Sequence, residues 1–96
     1  MLIKTDGLDN RTLELRLGVN RVGRDPDCDF PILHATVSTN HCELVVTDVG
    51  VMLRDCDSTN GTFLNGRRVA ESIEVREGDA IDVGTTRLVV KSLQAE

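Results

Sequence analysis

Hydroxyl, amide and guanidinium side chains are concentrated in three short polar stretches of this sequence. They are Gly23-Arg24, the segment Ser38–His41 and the segment Asp57–Thr62. Each stretch lies at the end of a short apolar run that is typical of a β-strand, so three loops would carry these groups. Arginine is a rigid fork of donors suited to a phosphate or a carboxylate, and hydroxyls and amides add further donors. The pattern therefore indicates a surface that binds an anion.

The same residue types could form a catalytic triad. A hydrolase would need Ser38 with His41, or Ser58 with His34 or His41, together with an aspartate. The sequence has no G-x-S-x-G element and no helical pattern that would present such a serine. We therefore do not expect an enzyme.

A metal site would draw on His34, His41, Cys28 and Cys42, but these residues show no ligand pairs at zinc spacing. We expect neither a metal nor a cofactor. The third cysteine is Cys56, and an odd number of widely separated cysteines argues against disulfides. The composition predicts reduced thiols in a cytoplasmic protein.

The composition limits the class of protein. A chain of 96 residues that is 40% hydrophobic, with two Phe and no Trp or Tyr, predicts one domain over residues 1–96 with an aliphatic core. The charge of −5, from 11 basic and 16 acidic residues, argues against nucleic acid as a partner. No apolar run is long enough to span a membrane, and the first six residues do not resemble a secretory signal.

Short segments that alternate between apolar and polar residues, separated by turn residues, predict the secondary structure. The expected strands are Met1–Thr5, Arg11–Leu17, Asn20–Gly23, Cys42–Thr47, Val51–Asp55, Thr62–Leu64, Ala80–Val83 and Arg87–Leu93, with Arg67–Ala70 and Ser72–Val75 as further candidates. Phe30–Leu33 is a brief apolar segment whose Pro31 fits an edge strand or no strand. Asp6-Gly7 and Asp9-Asn10 would form the first turns. In the second segment Leu13, Leu15 and Leu17 would share one buried face. Since no helical stripe is present, an all-β sandwich or barrel is expected.

A set of motifs places the chain near a known family. Gly23-Arg24, Ser38-x-x-His41, Asp55-x-x-Ser58-x-Asn60-Gly61-Thr62, Asn65-Gly66, and Gly78-Asp79-x-Ile81 with Gly84 follow one another along nearly the whole chain. In order and spacing they resemble the forkhead-associated (FHA) domain. The resemblance implies an FHA-type β-sandwich of about eleven short, mostly antiparallel strands with binding loops at one end.

The resemblance also implies a function. FHA domains are non-catalytic modules that bind phosphothreonine on a partner protein, and the resemblance leads us to expect the same role here, in Ser/Thr kinase signalling. The alternative is an FHA fold that has lost phosphate recognition and serves in assembly. Either way we expect one module of a larger protein or assembly. Because the strand pattern begins at Met1, we expect no preceding tail with a threonine for self-docking.

Residue roles follow from the same resemblance. The phosphate contacts would be Arg24, Ser38, Thr39 and Thr59, and Asn60 would hydrogen-bond the main chain of the peptide. Gly23, His41, Gly61 and Asn65 would support the loops.

Thr39 departs from the family pattern, which often has arginine or another basic residue after the loop serine. A charge-assisted hydrogen bond contributes about 1.5–3 kcal/mol, against about 1 kcal/mol for a neutral one. Thr39→Arg should therefore tighten binding of a phosphothreonine peptide by severalfold. Calorimetric titration of one peptide into both proteins measures the difference, and an unchanged Kd would contradict the prediction.

Overall fold

Residues 1–7 and 10–92 are described by the computed structural model, and they form eleven strands and no helix. The strands are β1 (Leu2–Thr5), β2 (Thr12–Glu14), β3 (Gly18–Gly23), β4 (Phe30–Pro31), β5 (Cys42–Thr47), β6 (Gly50–Asp55), β7 (Thr62–Leu64), β8 (Arg67–Arg68), β9 (Ile73–Val75), β10 (Ala80–Val83) and β11 (Thr86–Lys91). Asp9, predicted in a turn, and Leu93, predicted in the last strand, lie outside the described residues.

The strands form two sheets that pack as a sandwich. The first sheet has the order β2-β1-β11-β10-β7-β8, and the second has the order β4-β3-β5-β6-β9. All pairs with a recorded register are antiparallel except β3 with β4, which are parallel. β4 is a two-residue edge strand, the position in a sheet where Pro31 does not interrupt a ladder. The predicted all-β sandwich is confirmed.

The core is aliphatic, as the composition predicts. Alternate residues of the strands point inward from both sheets, and the burial pattern of β10, intermediate then buried, shows this period of two. The largest side chains that are fully buried are Phe30, Ile3, Leu44, Leu53, Ile81, Leu88 and His41. A histidine among them is the feature that the apolar pattern does not explain.

One predicted strand is much shorter than expected. The segment Arg11–Leu17 was expected to be a strand with Leu17 on its buried face, but β2 ends at Glu14 and Leu17 is 79% exposed. The buried side chain of Asn20 bends the chain here, since its Oδ1 accepts the Arg16 N–H at 3.0 Å and its Nδ2 donates to the Arg16 carbonyl at 2.8 Å. The prediction for Leu17 was wrong because this side chain competes with the ladder.

Four connections meet at one end of the sandwich, called here the loop end. They are residues 24–29 after β3, 32–41 after β4, 56–61 after β6, and the turn 84–85 after β10. Hydrogen bonds join them to one another, for example Arg24 N–H to the Ser38 carbonyl at 2.9 Å and Thr85 N–H to Thr36 Oγ1 at 3.1 Å. The two sheets therefore deliver a packed group of loops.

Residues 1–7 and 10–92 contain no apolar helix of the length needed to cross a bilayer.

Asn20 should matter for stability. Besides its bonds to Arg16, its Nδ2 donates to the buried Leu44 carbonyl at 3.1 Å, so Asn20→Ala removes the hydrogen bonds that this side chain makes to the backbone. We expect a loss of about 1–3 kcal/mol in the free energy of unfolding, measured by urea denaturation. Asn40→Ala, at an exposed asparagine, is the control and should change it by less than about 0.5 kcal/mol. Equal effects of the two substitutions would contradict the prediction.

Candidate anion-binding site

Gly23 brings the end of β3 against the loop that follows β4. A Cβ at residue 23 would collide with the Thr39 carbonyl oxygen and lie 3.1 Å from the His41 nitrogen. Only glycine permits this approach. The next residue, Arg24, donates its backbone N–H to the Ser38 carbonyl at 2.9 Å. The glycine thus sets the arginine beside the serine.

Arg24 presents a free cation at this position. Its side chain is exposed, and within residues 1–7 and 10–92 no hydrogen bond or ion pair engages its guanidinium. A guanidinium of this kind is available for a bidentate contact with a phosphate or a carboxylate.

Ser38 is held at nearly every polar atom. Its N–H donates to His41 Nδ1 at 3.0 Å, its carbonyl accepts from Arg24, and its Oγ accepts the Thr59 N–H at 3.0 Å. What remains is the hydroxyl proton, for which the described residues supply no acceptor. The side chain is fixed in place as a hydrogen-bond donor.

His41 connects two of the loops from inside. It is fully buried, and because Nδ1 accepts the Ser38 N–H, the ring proton lies on Nε2 and is donated to the Gly61 carbonyl at 2.9 Å. The neutral ring therefore joins the loop after β4 to the loop after β6. Gly61 itself adopts φ +87°, which favours glycine.

Thr59, Asn60 and Thr39 lie close to Ser38 in the loops of the loop end. All three are exposed. Asn60 donates from Nδ2 to the Thr36 carbonyl at 2.9 Å, and in the described part of the chain its Oδ1 and its second N–H have no partner. Thr59 and Thr39 are placed by backbone bonds, from Thr59 N–H to Ser38 Oγ and from Asp25 N–H to the Thr39 carbonyl.

Asp55, at the end of β6, organises the start of the loop 56–61. It accepts from Ser58 Oγ at 2.6 Å, from Ser58 N–H at 3.1 Å and from Thr62 Oγ1 at 2.7 Å. Partial burial raises the pKa of Asp55, but these hydrogen bonds lower it by more, and the net pKa lies below its usual value.

Sequence reasoning did not find the contribution of the turn 84–85. Gly84, at φ +60°, packs so tightly on Thr36 that a Cβ would collide with it, and Thr85 N–H donates to Thr36 Oγ1. His34 Nδ1 lies 2.8 Å from the same hydroxyl oxygen. The sequence signals a turn at Gly84, but it contains no signal that this turn supports Thr36, 48 residues earlier.

Asn65 lies away from the site. It is at the other end of β7, where its Nδ2 donates to Asp79 Oδ1 at 3.0 Å and its Oδ1 accepts the Ala80 N–H at 2.9 Å. Asn65 therefore supports the turns at the opposite end of the sandwich, whereas Gly23, His41 and Gly61 lie at the loop end.

The contacts oppose catalysis and metal binding by these residues. Both ring nitrogens of His41 are used by backbone groups, so the ring cannot act as a base toward Ser38. The Ser58 hydroxyl donates to Asp55 rather than to a histidine. Burial raises the pKa of the Cys42 thiol, which keeps it protonated and a weak nucleophile and ligand.

The comparisons with known proteins give the family. The family model described as FHA domain matches residues 20–84, which include every predicted contact residue. The chain belongs to the FHA domain family.

Particular relatives extend this finding. The chain is 41% identical over 78 residues to the ABC transporter ATP-binding/permease protein Rv1747 of Mycobacterium tuberculosis, covering 81% of this chain and 9% of that protein. It is 34% identical to FhaA of the same organism, covering 93% of this chain and 17% of that protein. The chain thus spans less than a fifth of the length of these relatives.

A solved structure also agrees in fold. A domain from a study of phosphothreonine-dependent FHA domain interactions superposes with a TM-score of 0.91 at 31% identity, covering 98% of this chain and 97% of that one. FHA domains are phosphothreonine-binding interaction modules and not catalysts, so the fold and the family agree with the contacts above.

The ionisation of Asp55 should make the free energy of unfolding depend on pH in the acid range. Its pKa is depressed in the folded state, so its contribution is full above the usual value near 3.8 and is lost as the pH falls through the lower folded pKa. Asp55→Asn should lower the free energy of unfolding by about 1–3 kcal/mol at neutral pH. The difference in the free energy of unfolding between Asp55→Asn and the wild type should narrow below about pH 4.

Urea denaturation across this pH range tests the effect. Asp57→Asn, at an exposed neighbour whose φ of 56° asparagine also adopts, is the matched control and should follow the wild type. A gap between Asp55→Asn and wild type that stays constant from neutral to acid pH would count against the assignment.

Proposed function

We propose that this FHA domain binds a phosphothreonine-containing segment of a partner protein and performs no catalysis. The observation that carries the proposal is the pairing of Arg24 with Ser38. One has a free guanidinium, the other has a hydroxyl with a free proton, and the 2.9 Å bond from Arg24 N–H to the Ser38 carbonyl holds them together.

A phosphate group matches these donors. A phosphothreonine carries about −1.5 to −2 charges at pH 7 and three acceptor oxygens. Arg24 would supply the charge-assisted contact, and the hydroxyl of Ser38 would donate to a second oxygen. The exposed hydroxyls of Thr59 and Thr39 would complete the donors around the phosphate.

Asn60 would orient the peptide. Its bond to the Thr36 carbonyl fixes the side chain and leaves one acceptor and one donor. An extended peptide main chain offers both a donor and an acceptor, so Asn60 can hold it on both groups. His41, Gly23 and Gly61 support this arrangement without touching the ligand.

The wider setting is part of the same proposal. A Ser/Thr kinase would write the mark, and the domain, spanning residues 1–96, would be one module of a larger signalling protein, as in the much longer relatives. A solved structure of the FhaA FHA domain, similar at a TM-score of 0.87, is a complex with the intracellular domain of Rv3910. The free thiols of Cys28, Cys42 and Cys56 favour the reducing cytoplasm.

Binding should require both the phosphate and Arg24. We expect measurable calorimetric binding of a degenerate phosphothreonine peptide pool, none of its unphosphorylated twin, and a loss of at least about tenfold in affinity for Arg24→Ala. Ser38→Ala should weaken binding by about fivefold, since it removes one hydroxyl donor.

The control is Arg67→Ala, which removes an exposed arginine on β8 and should bind like the wild type. A phosphoserine pool tests whether the methyl group of threonine is recognised. Heat that is independent of the phosphate, or no heat from a folded protein, would refute the proposal and favour an FHA fold that serves in assembly.

A further inference from the structure

The arginines of this domain fall into two groups. Of the nine in the sequence, six contact another side chain: five through a hydrogen bond or ion pair, and Arg11 through the ring of Phe30. In the described part of the chain the other three, Arg24, Arg67 and Arg68, have neither an ion pair nor a side-chain hydrogen bond. In a chain with net charge −5, three unpaired guanidiniums stand out.

The guanidinium of Arg68 lies against Gly61. A Cβ at residue 61 would be 3.1 Å from Cζ and from Nε of Arg68 and 3.3 Å from its Nη2. The guanidinium thus occupies the space that a side chain at residue 61 would take. It nevertheless belongs to an exposed residue. A planar guanidinium in this place is available to a partner that approaches Gly61.

Gly61 is connected through hydrogen bonds of His41 to Ser38, one of the proposed phosphate donors. The Gly61 carbonyl accepts from His41 Nε2, and His41 Nδ1 accepts from the Ser38 N–H. Gly61 also directly follows Asn60, the residue that would hold the ligand main chain. A peptide lying across Asn60 would therefore pass close to Arg68.

We propose that Arg68 is a specificity-determining residue that selects an acidic side chain of the ligand, flanking the phosphothreonine. This inference rests on the proposed function. The group recognised is an anionic oxygen, from an aspartate or glutamate carboxylate or from a second phosphate. The planar guanidinium matches both.

Arg67 provides a matched control. It precedes Arg68 on the same strand and is also exposed and unpaired, but successive residues of a strand point to opposite faces. β8 pairs with β7 so that Arg68 lies opposite Phe63 and Arg67 opposite Leu64. Removing either arginine changes the net charge equally, but the guanidinium that lies against Gly61 is that of Arg68.

The test is an acidic scan of a phosphothreonine peptide with neutral flanks. Single aspartates are placed at each position within about five residues on either side, and Kd is measured for the wild type, Arg68→Ala, Arg68→Lys and Arg67→Ala. We expect one or two neighbouring positions where aspartate tightens wild-type binding by about fivefold, a gain that falls as salt is raised. Arg68→Ala should abolish the gain, Arg68→Lys should keep part of it, and Arg67→Ala should retain it.

The same experiment identifies the anionic group that Arg68 prefers, and it distinguishes a failure of this inference from a failure of the proposed function. Phosphoserine at the selected position, compared with aspartate, shows whether a carboxylate or a second phosphate is preferred. A wild type with no such position, a gain that persists in Arg68→Ala, or an equal loss in Arg67→Ala would overturn the inference. The neutral peptide remains the test of the proposed function, since its binding should depend on Arg24 and be unchanged in Arg68→Ala; without phosphate-dependent binding, both fall.

Discussion

The two hydrogen bonds of buried His41 are the interaction on which the loop end depends. Loop backbone has few regular partners, and the ring supplies one acceptor to Ser38 N–H and one donor to the Gly61 carbonyl. A residue without both groups would leave a polar backbone atom unpaired near the core, which costs about 1–3 kcal/mol each. The same two bonds fix the distance between the serine of one loop and the turn of the next. Binding geometry and stability therefore share one side chain.

The register of the five-stranded sheet places these loops at the same level. Val22 of β3 pairs with Cys42 of β5, and Cys42 pairs with Asp55 of β6, so the three strands meet the loop end on one rung. Arg24 follows this rung by two residues, and His41 precedes it by one. A slip of one residue would turn every inward side chain to the other face, so the buried core protects the register. The packing of the core thus sets the level at which the polar groups of the loop end lie.

Local patterns predicted most of the fold, because strand alternation is a property of neighbouring residues. The predicted bounds of β5, β7 and β10 match the structure, and the family motifs mark loops that meet at the loop end. The prediction that Leu17 is buried failed because the side chain of Asn20 bends the chain, and the alternation of apolar and polar residues does not encode this effect. Two further contacts had no sequence signal, because they exist only after the sheets assemble. They are the hydrogen bond from Thr85 to Thr36 and the contact of the Arg68 guanidinium with Gly61.

An acidic protein can present an anion site because charge acts locally at physiological ionic strength, where screening extends about 8 Å. Asp29, Glu43 and Asp82 each form an ion pair with an arginine, so these three negative charges are balanced where they lie. Within residues 1–7 and 10–92 the guanidiniums of Arg24 and Arg68, which lie beside the loops, have no ion pair and no side-chain hydrogen bond. An anion approaching the loop end would therefore meet these two cations at close range, and the net charge alone does not exclude binding of a single phosphate. What the charge of −5 does oppose is a long polyanion, whose phosphates would extend beyond the loops to the acidic remainder of the surface.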